Sequence, residues 1–93
     1  MIKSFACKKT KAIWEGTFVK GYSLEIQNIT RRKLRMLNNA YSLNDLKIPP
    51  ANRLEALSGD KIGEFSIRVN QQWRLCFKWG DPDVFDVYLI DYH

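Results

Sequence analysis

The stretch Glu64-Phe65-Ser66-Ile67-Arg68-Val69-Asn70-Gln71-Gln72-Trp73-Arg74-Leu75-Cys76-Phe77-Lys78-Trp79 alternates apolar and polar residues twice over. Phe65, Ile67 and Val69 interleave with Ser66, Arg68 and Asn70. Trp73, Leu75, Phe77 and Trp79 interleave with Arg74, Cys76 and Lys78. A period of two belongs to a strand with one buried face, so the stretch predicts a hairpin of two such strands. A slip of one residue would set Val69 against Arg74 and mix core with solvent. The pairing that keeps apolar with apolar is centred on Gln71. It sets Val69 opposite Trp73, Arg68 opposite Arg74 and Ser66 opposite Cys76. Opposed like charges cost a few tenths to about 1 kcal/mol. Asp86, expected with Tyr88 on the arginine face of the next strand, offers one relief. Alternatively, the two guanidiniums await phosphate, whose oxygens arginine meets with paired donors. Trp73 and Trp79 read as packing residues.

Downstream, Gly80-Asp81-Pro82-Asp83 marks a turn, and Val84 to Ile90 predicts a third, more apolar strand. Upstream, Ile2 to Phe5 suits a short first strand and Thr10 to Glu15 a short helix closed by Gly16. Ser23 is an N-cap for a longer helix, with Ile26, Ile29, Met36, Leu37 and Ala40 near one stripe. Its outer face would carry Arg31, Arg32, Lys33 and Arg35, a run that fits a solvated face as well as a binding one. Asn44 to Leu46 allows one more turn, and Pro49-Pro50 stops further helix. Residues 47–60 are therefore expected to be a surface loop. Helices followed by antiparallel strands predict an α+β domain with the helices on one sheet face.

The 93 residues make one domain, 1–93, and 45% hydrophobic content suffices for a core. Met1-Ile2-Lys3-Ser4 has no apolar run of the signal-peptide kind, and no stretch approaches membrane-spanning length, so a cytoplasmic protein is expected. Cys7 and Cys76 then read as reduced thiols. One histidine and no close cysteine pair leave no metal site or other cofactor to expect. Charge is uneven. Residues 1–78 hold all 15 Lys and Arg against six acids, net +9, whereas residues 79–93 hold four acids and no Lys or Arg, net −4. A pI near 9.4 points to an anionic partner, nucleic acid first.

The segment Asn52-Arg53-Leu54-Glu55-Ala56-Leu57-Ser58-Gly59-Asp60, the hairpin from Gly63 to Trp79, the closing Asp91-Tyr92-His93 and the opening Met1-Ile2-Lys3-Ser4-Phe5 together resemble a HigB-type toxin of the RelE/ParE superfamily. The resemblance implies two helices on an antiparallel sheet and cleavage of mRNA on the translating ribosome. It also implies a helix-turn-helix, HigA-like antitoxin that neutralises the toxin, the pair together repressing their operon at operator DNA. Its active surface falls on Arg68, Asn70, Gln72, Arg74, Asp91, Tyr92 and His93. Relatives often carry a basic residue where this chain has Ser58. Lys61, three residues later, is a candidate supplier of that charge.

RNA cleavage by 2′-OH attack needs the hydroxyl deprotonated, the phosphorane charge stabilised and the 5′-oxygen protonated. General acid–base help is typically worth about 10²–10⁴-fold. His93 is the only side chain here with a near-neutral ordinary pKa and the natural proton carrier. Arg74 with Arg68 would stabilise the phosphorane, while Asp91 orients the terminus or accepts a proton. Tyr92 would stack on a base or donate its hydroxyl. Asn70 and Gln72 would bond base edges or backbone, and Lys61 and Arg53 would contact phosphates. Plainer roles remain open: Tyr92 in packing, Asp91 in a salt bridge, Asn70 and Gln72 in the turn. Two other functions also fit. ParE-like toxins share the fold and poison DNA gyrase, although the Asp-Tyr-His ending favours RNA cleavage. A non-catalytic basic module binding RNA or a ribosomal surface would explain the charge equally well.

Overall fold

A computed structural model describes residues 1–91; Tyr92 and His93 lie outside the described residues. The chain forms α1 (Lys8–Trp14), α2 (Leu24–Asn39), β1 (Glu55–Ala56), β2 (Glu64–Arg68), β3 (Trp73–Gly80) and β4 (Asp83–Asp91). The strands make one antiparallel sheet in the order β1-β2-β3-β4. Ile13 of α1 with Leu34 and Leu37 of α2 packs on Ile67, Leu75, Phe77, Val84, Val87 and Leu89, giving the expected helix layer on one sheet face.

The hairpin has the register its alternation predicts: Phe65 pairs with Phe77, Ile67 with Leu75, Ser66 with Cys76 and Arg68 with Arg74. β4 departs from simple alternation. Lys78 pairs with Phe85 but Cys76 with Tyr88, so one extra residue is inserted, and Asp86 takes φ +53 there. The bulge lets Val84 and Val87, three apart, both face the core. Along the free edge of β4, Ile2 and Phe5 bridge Val84 and Val87 in parallel, matching that three-residue step. The expected first strand is thus an extended segment with two bridges.

Ser23 caps α2 as its sequence predicts, its Oγ accepting from the Ile26 N–H at 3.1 Å. Ser23→Ala is expected to cost about 1 kcal/mol, a fall in thermal midpoint of roughly 4–8 °C for a domain this size. The stripe that α2 buries is corrected in part: Leu37 and Ala40 are buried as expected, but Gln27, Thr30 and Leu34 are covered with them, whereas Ile26, Ile29 and Met36 only flank them. Gln27 is covered because its amide ties down the α1–α2 loop: Oε1 accepts from Val19 N–H at 2.8 Å, and Nε2 donates to the Val19 and Tyr22 carbonyls at 2.9 Å each. Lys33 is a second correction. Of the expected outer face only Arg32 and Arg35 are exposed, and Lys33 is buried, donating to Asn52 Oδ1.

Residues 47–60 are likewise more structured than a surface loop. Short 3-10 turns at Leu43–Lys47 and Pro50–Asn52 lead into β1, and a third turn, Gly59–Lys61, follows. Asn52 has no exposed surface. The two-residue β1 is too short to show any periodicity in sequence.

Candidate nucleic-acid interface

Residues paired across antiparallel strands project to the same side of the sheet. Three rows therefore face away from the helices: Glu64–Lys78–Phe85, Ser66–Cys76–Tyr88 and Arg68–Arg74–Ile90. The expectation that Asp86 relieves the arginine pair is corrected. Displaced by the bulge, Asp86 accepts from Ser4 Oγ at 3.2 Å and pairs with Lys78 at 3.3 Å.

The relief comes instead from the segment ahead of β2. Arg74 is only 6% exposed. Its Nε donates to Ser66 Oγ at 2.9 Å, and its Nη2 donates to the Arg53 carbonyl at 2.7 Å and lies 3.6 Å from Glu55 Oε2. Glu55 is half exposed, so water screens that pair and the two hydrogen bonds are the firmer hold. Arg53 takes φ +46, a conformation that brings its carbonyl inward while its side chain stays exposed. The half-buried Arg68 turns toward the hairpin tip, its Nε donating to the Asn70 carbonyl at 3.0 Å.

The tip is built by Asn70. Its Oδ1 accepts from the Gln72 and Trp73 N–H groups, both at 2.8 Å, which closes the turn. Gln72 Nε2 reaches Asp91 Oδ2 at 3.1 Å. The structure therefore gathers Asn70, Gln72 and Asp91 at one end of the sheet. Asp91 pairs with Trp73, so alternation sets it on the helix side of β4 rather than the arginine side. Tyr22 meets Trp73 edge-on nearby, with ring centroids 5.2 Å apart. The acid–base and stacking roles given to His93 and Tyr92 lie outside the described residues.

Lys61 is brought to the arginine side, one row along from Arg68 and Arg74. Its Nζ donates to Tyr88 Oη at 2.6 Å, and Tyr88 Oη donates to Glu64 Oε1 at 2.8 Å. Burial, and then the bond to Glu64, raise the Tyr88 phenol far above its ordinary pKa, so it stays protonated at any physiological pH. Tyr88, Glu64, Ser66 and Glu55 join the site residues expected from sequence. Strand parity already marked the first three as arginine-side residues; nothing in the sequence flagged Glu55. Two surface grooves, about 450 and 490 Å³, lie elsewhere, beside Met1 and Pro82 and beside Ile2 and Trp14.

The comparisons with known proteins agree with this architecture. A family profile described as a RelE-like toxin of the type II toxin–antitoxin system HigB matches residues 3–93. Toxin HigB-1 of Vibrio cholerae serotype O1 is 48% identical over 64 residues, 69% of this chain and 67% of that protein. Endoribonuclease HigB of Proteus vulgaris is 29% identical over 93 residues, 100% of both chains. In fold, the chain resembles a YoeB/ParE toxin from Agrobacterium tumefaciens, with TM-score 0.52 at 16% identity over 99% of this chain and 96% of that one. With a profile running from Lys3 to the last residue and identity at this level, the chain belongs to the RelE-like HigB toxins of type II toxin–antitoxin systems.

Proposed function

We propose that this toxin is an endoribonuclease that cuts translated mRNA on the ribosome by 2′-OH attack on the adjacent phosphodiester. Membership of a type II system implies an antitoxin partner. We assign that role to a helix-turn-helix, HigA-like protein acting in the cytoplasm, the complex alone meeting operator DNA. The similarity to Endoribonuclease HigB of Proteus vulgaris supports the choice of reaction.

The observation that carries the proposal is that Arg68, paired with the buried Arg74, and Lys61, held by Tyr88, stand on the side of the sheet away from the helices, next to the exposed Arg53. An extended phosphodiester chain fits such a surface better than a small molecule fits a pocket. In the proposed mechanism Arg68 and Lys61 contact phosphate, while Arg74 adds its charge from just beneath and fixes the Arg53 segment. Asp91 and Gln72 border the end of the sheet where the chain runs on to Tyr92 and His93, the proposed base-stacking group and proton carrier.

A chain with one histidine offers little acid–base capacity by itself. A ribosome that already holds the message in place removes much of the entropic cost of alignment. Purified protein is therefore expected to cut message on programmed ribosomes far faster than naked mRNA, read by mapping new 5′ ends. Equal cutting of both substrates would rule out ribosome dependence.

A further inference from the structure

Lysine is a flexible residue, and fixing its side chain costs rotamer freedom. The Lys61 ammonium is nonetheless held by Tyr88 at two points, the ring and the hydroxyl. Its turn lies between Gly59 at φ +67 and Gly63 at φ +94, a left-handed conformation that suits glycine. Its Nζ sits 4.9 Å from the centroid of the Tyr88 ring and donates to the phenol oxygen at 2.6 Å. The phenol in turn donates a hydrogen bond to Glu64 Oε1 at 2.8 Å. Residues of β2 and β4 thus hold one ammonium, across the intervening β3.

The order of these contacts has an electrostatic consequence. A carboxylate bonded directly to the ammonium would neutralise it and compete with any anion. A neutral phenol between them orients the ammonium while the counter-charge stays one residue removed. An ammonium has three donors, and the phenol uses one. We propose, resting on the nuclease function above, that Tyr88 and Glu64 are positioning residues that aim the Lys61 ammonium at a phosphate of the bound RNA. Neither touches the substrate in this arrangement; both act through Lys61.

A double-mutant cycle separates this role from a merely structural one. Tyr88→Phe keeps the ring and its packing but removes the oxygen. Cleavage on programmed ribosomes is expected to fall about tenfold in kcat/KM, a fraction of what one preorganised donor contributes. Lys61→Ala is expected to fall further, and adding Tyr88→Phe to it should change nothing more. Glu64→Ala should show the same pattern. Affinity for a short single-stranded RNA gives a readout that needs no cleavage. Lys61→Ala should lower the salt dependence by about one phosphate contact, and Tyr88→Phe should weaken binding only where Lys61 is present. Tyr88→Phe behaving as wild type in both assays would overturn the proposal. So would losses that multiply in the Lys61→Ala background. A wild-type protein that binds RNA with this pattern but cuts no message would refute the nuclease function instead and leave the positioning role standing.

Discussion

Arg74→Met is expected to lower stability by about 2–3 kcal/mol, more than the loss of any exposed arginine in this chain. Met keeps much of the apolar stem but none of the donors. Ser66 Oγ loses its 2.9 Å donor and the Arg53 carbonyl its 2.7 Å donor, in a place where the arginine itself is 6% exposed. Leaving buried acceptors without partners costs about 1–3 kcal/mol. The Glu55 pair adds little, because that carboxylate is half in water. At roughly 4–8 °C per kcal/mol for a domain this size, the thermal midpoint should drop about 10–20 °C. Arg74→Lys should fall between wild type and Met, since an ammonium cannot reproduce the guanidinium fork. An unchanged melting midpoint for Arg74→Met would show that these bonds do not hold the Arg53 segment.

The contrast with Arg68 gives the experiment its meaning. Arg68 is half-buried and donates through Nε to one backbone carbonyl at the hairpin tip. Its loss should cost well under about 1 kcal/mol of stability, yet weaken RNA binding, most strongly at low salt. On this proposal the two arginines placed directly opposite each other divide the work, Arg68 presenting charge and Arg74 fixing the adjoining chain. Activity loss alone would not separate them, whereas activity measured beside thermal stability does.

The hairpin shows how far sequence carries. Its register was legible to the residue because only one pairing keeps Ile67 with Leu75 and Arg68 with Arg74. The same rule was misleading on β4, where a bulge at Asp86 shifts parity by one and hands that carboxylate to Lys78 and Ser4. Alternation did not announce the bulge here, since Val84-Phe85-Asp86-Val87-Tyr88-Leu89-Ile90 is apolar or aromatic at nearly every position and leaves no clear period to break. Lys33 was placed outside for a related reason. A lysine within Arg31-Arg32-Lys33 reads as solvated, and only a buried acceptor from a distant segment reverses that. The partner, Asn52, is nineteen residues away in a segment whose turns have no periodicity to read. Parity put Arg68 and Arg74 on one side of the sheet, whereas Asp91, paired with Trp73, falls on the other. What sequence could not give was whether a given charge is spent inside the fold, as those of Arg74 and Lys33 are.

Asn52→Ala is expected to be the most destabilising single change in the segment before β1, at about 3 kcal/mol or more. The Asn52 side chain accepts from Lys33 Nζ and donates to the Leu46 and Ile48 carbonyls at 3.2 and 3.4 Å, with no exposed surface. Alanine would strand two carbonyls and, more costly, a buried ammonium with no acceptor. Desolvation, followed by the nearby Arg32 charge, already holds the Lys33 pKa below its ordinary 10.5. The folded protein thus binds that proton less tightly than the unfolded chain does. Stability from this group should therefore rise with pH across the interval between the lowered value and 10.5. Lys33→Met removes the charge, and the rise should vanish with it. Lys33→Met in the Asn52→Ala background should recover part of the loss, because the cost of a stranded charge disappears with the charge. Additive losses in that double variant, from thermal or urea denaturation, would show that Lys33 and Asn52 are stabilised independently. The coupling also reaches the candidate interface. Asn52 is pinned by α2, and the next residue, Arg53, is pinned by Arg74 of β3. Two consecutive residues therefore tie the segment to the helix layer and to the cationic side of the sheet. Loosening the first anchor should reduce RNA cleavage even though Asn52 lies fully inside the protein.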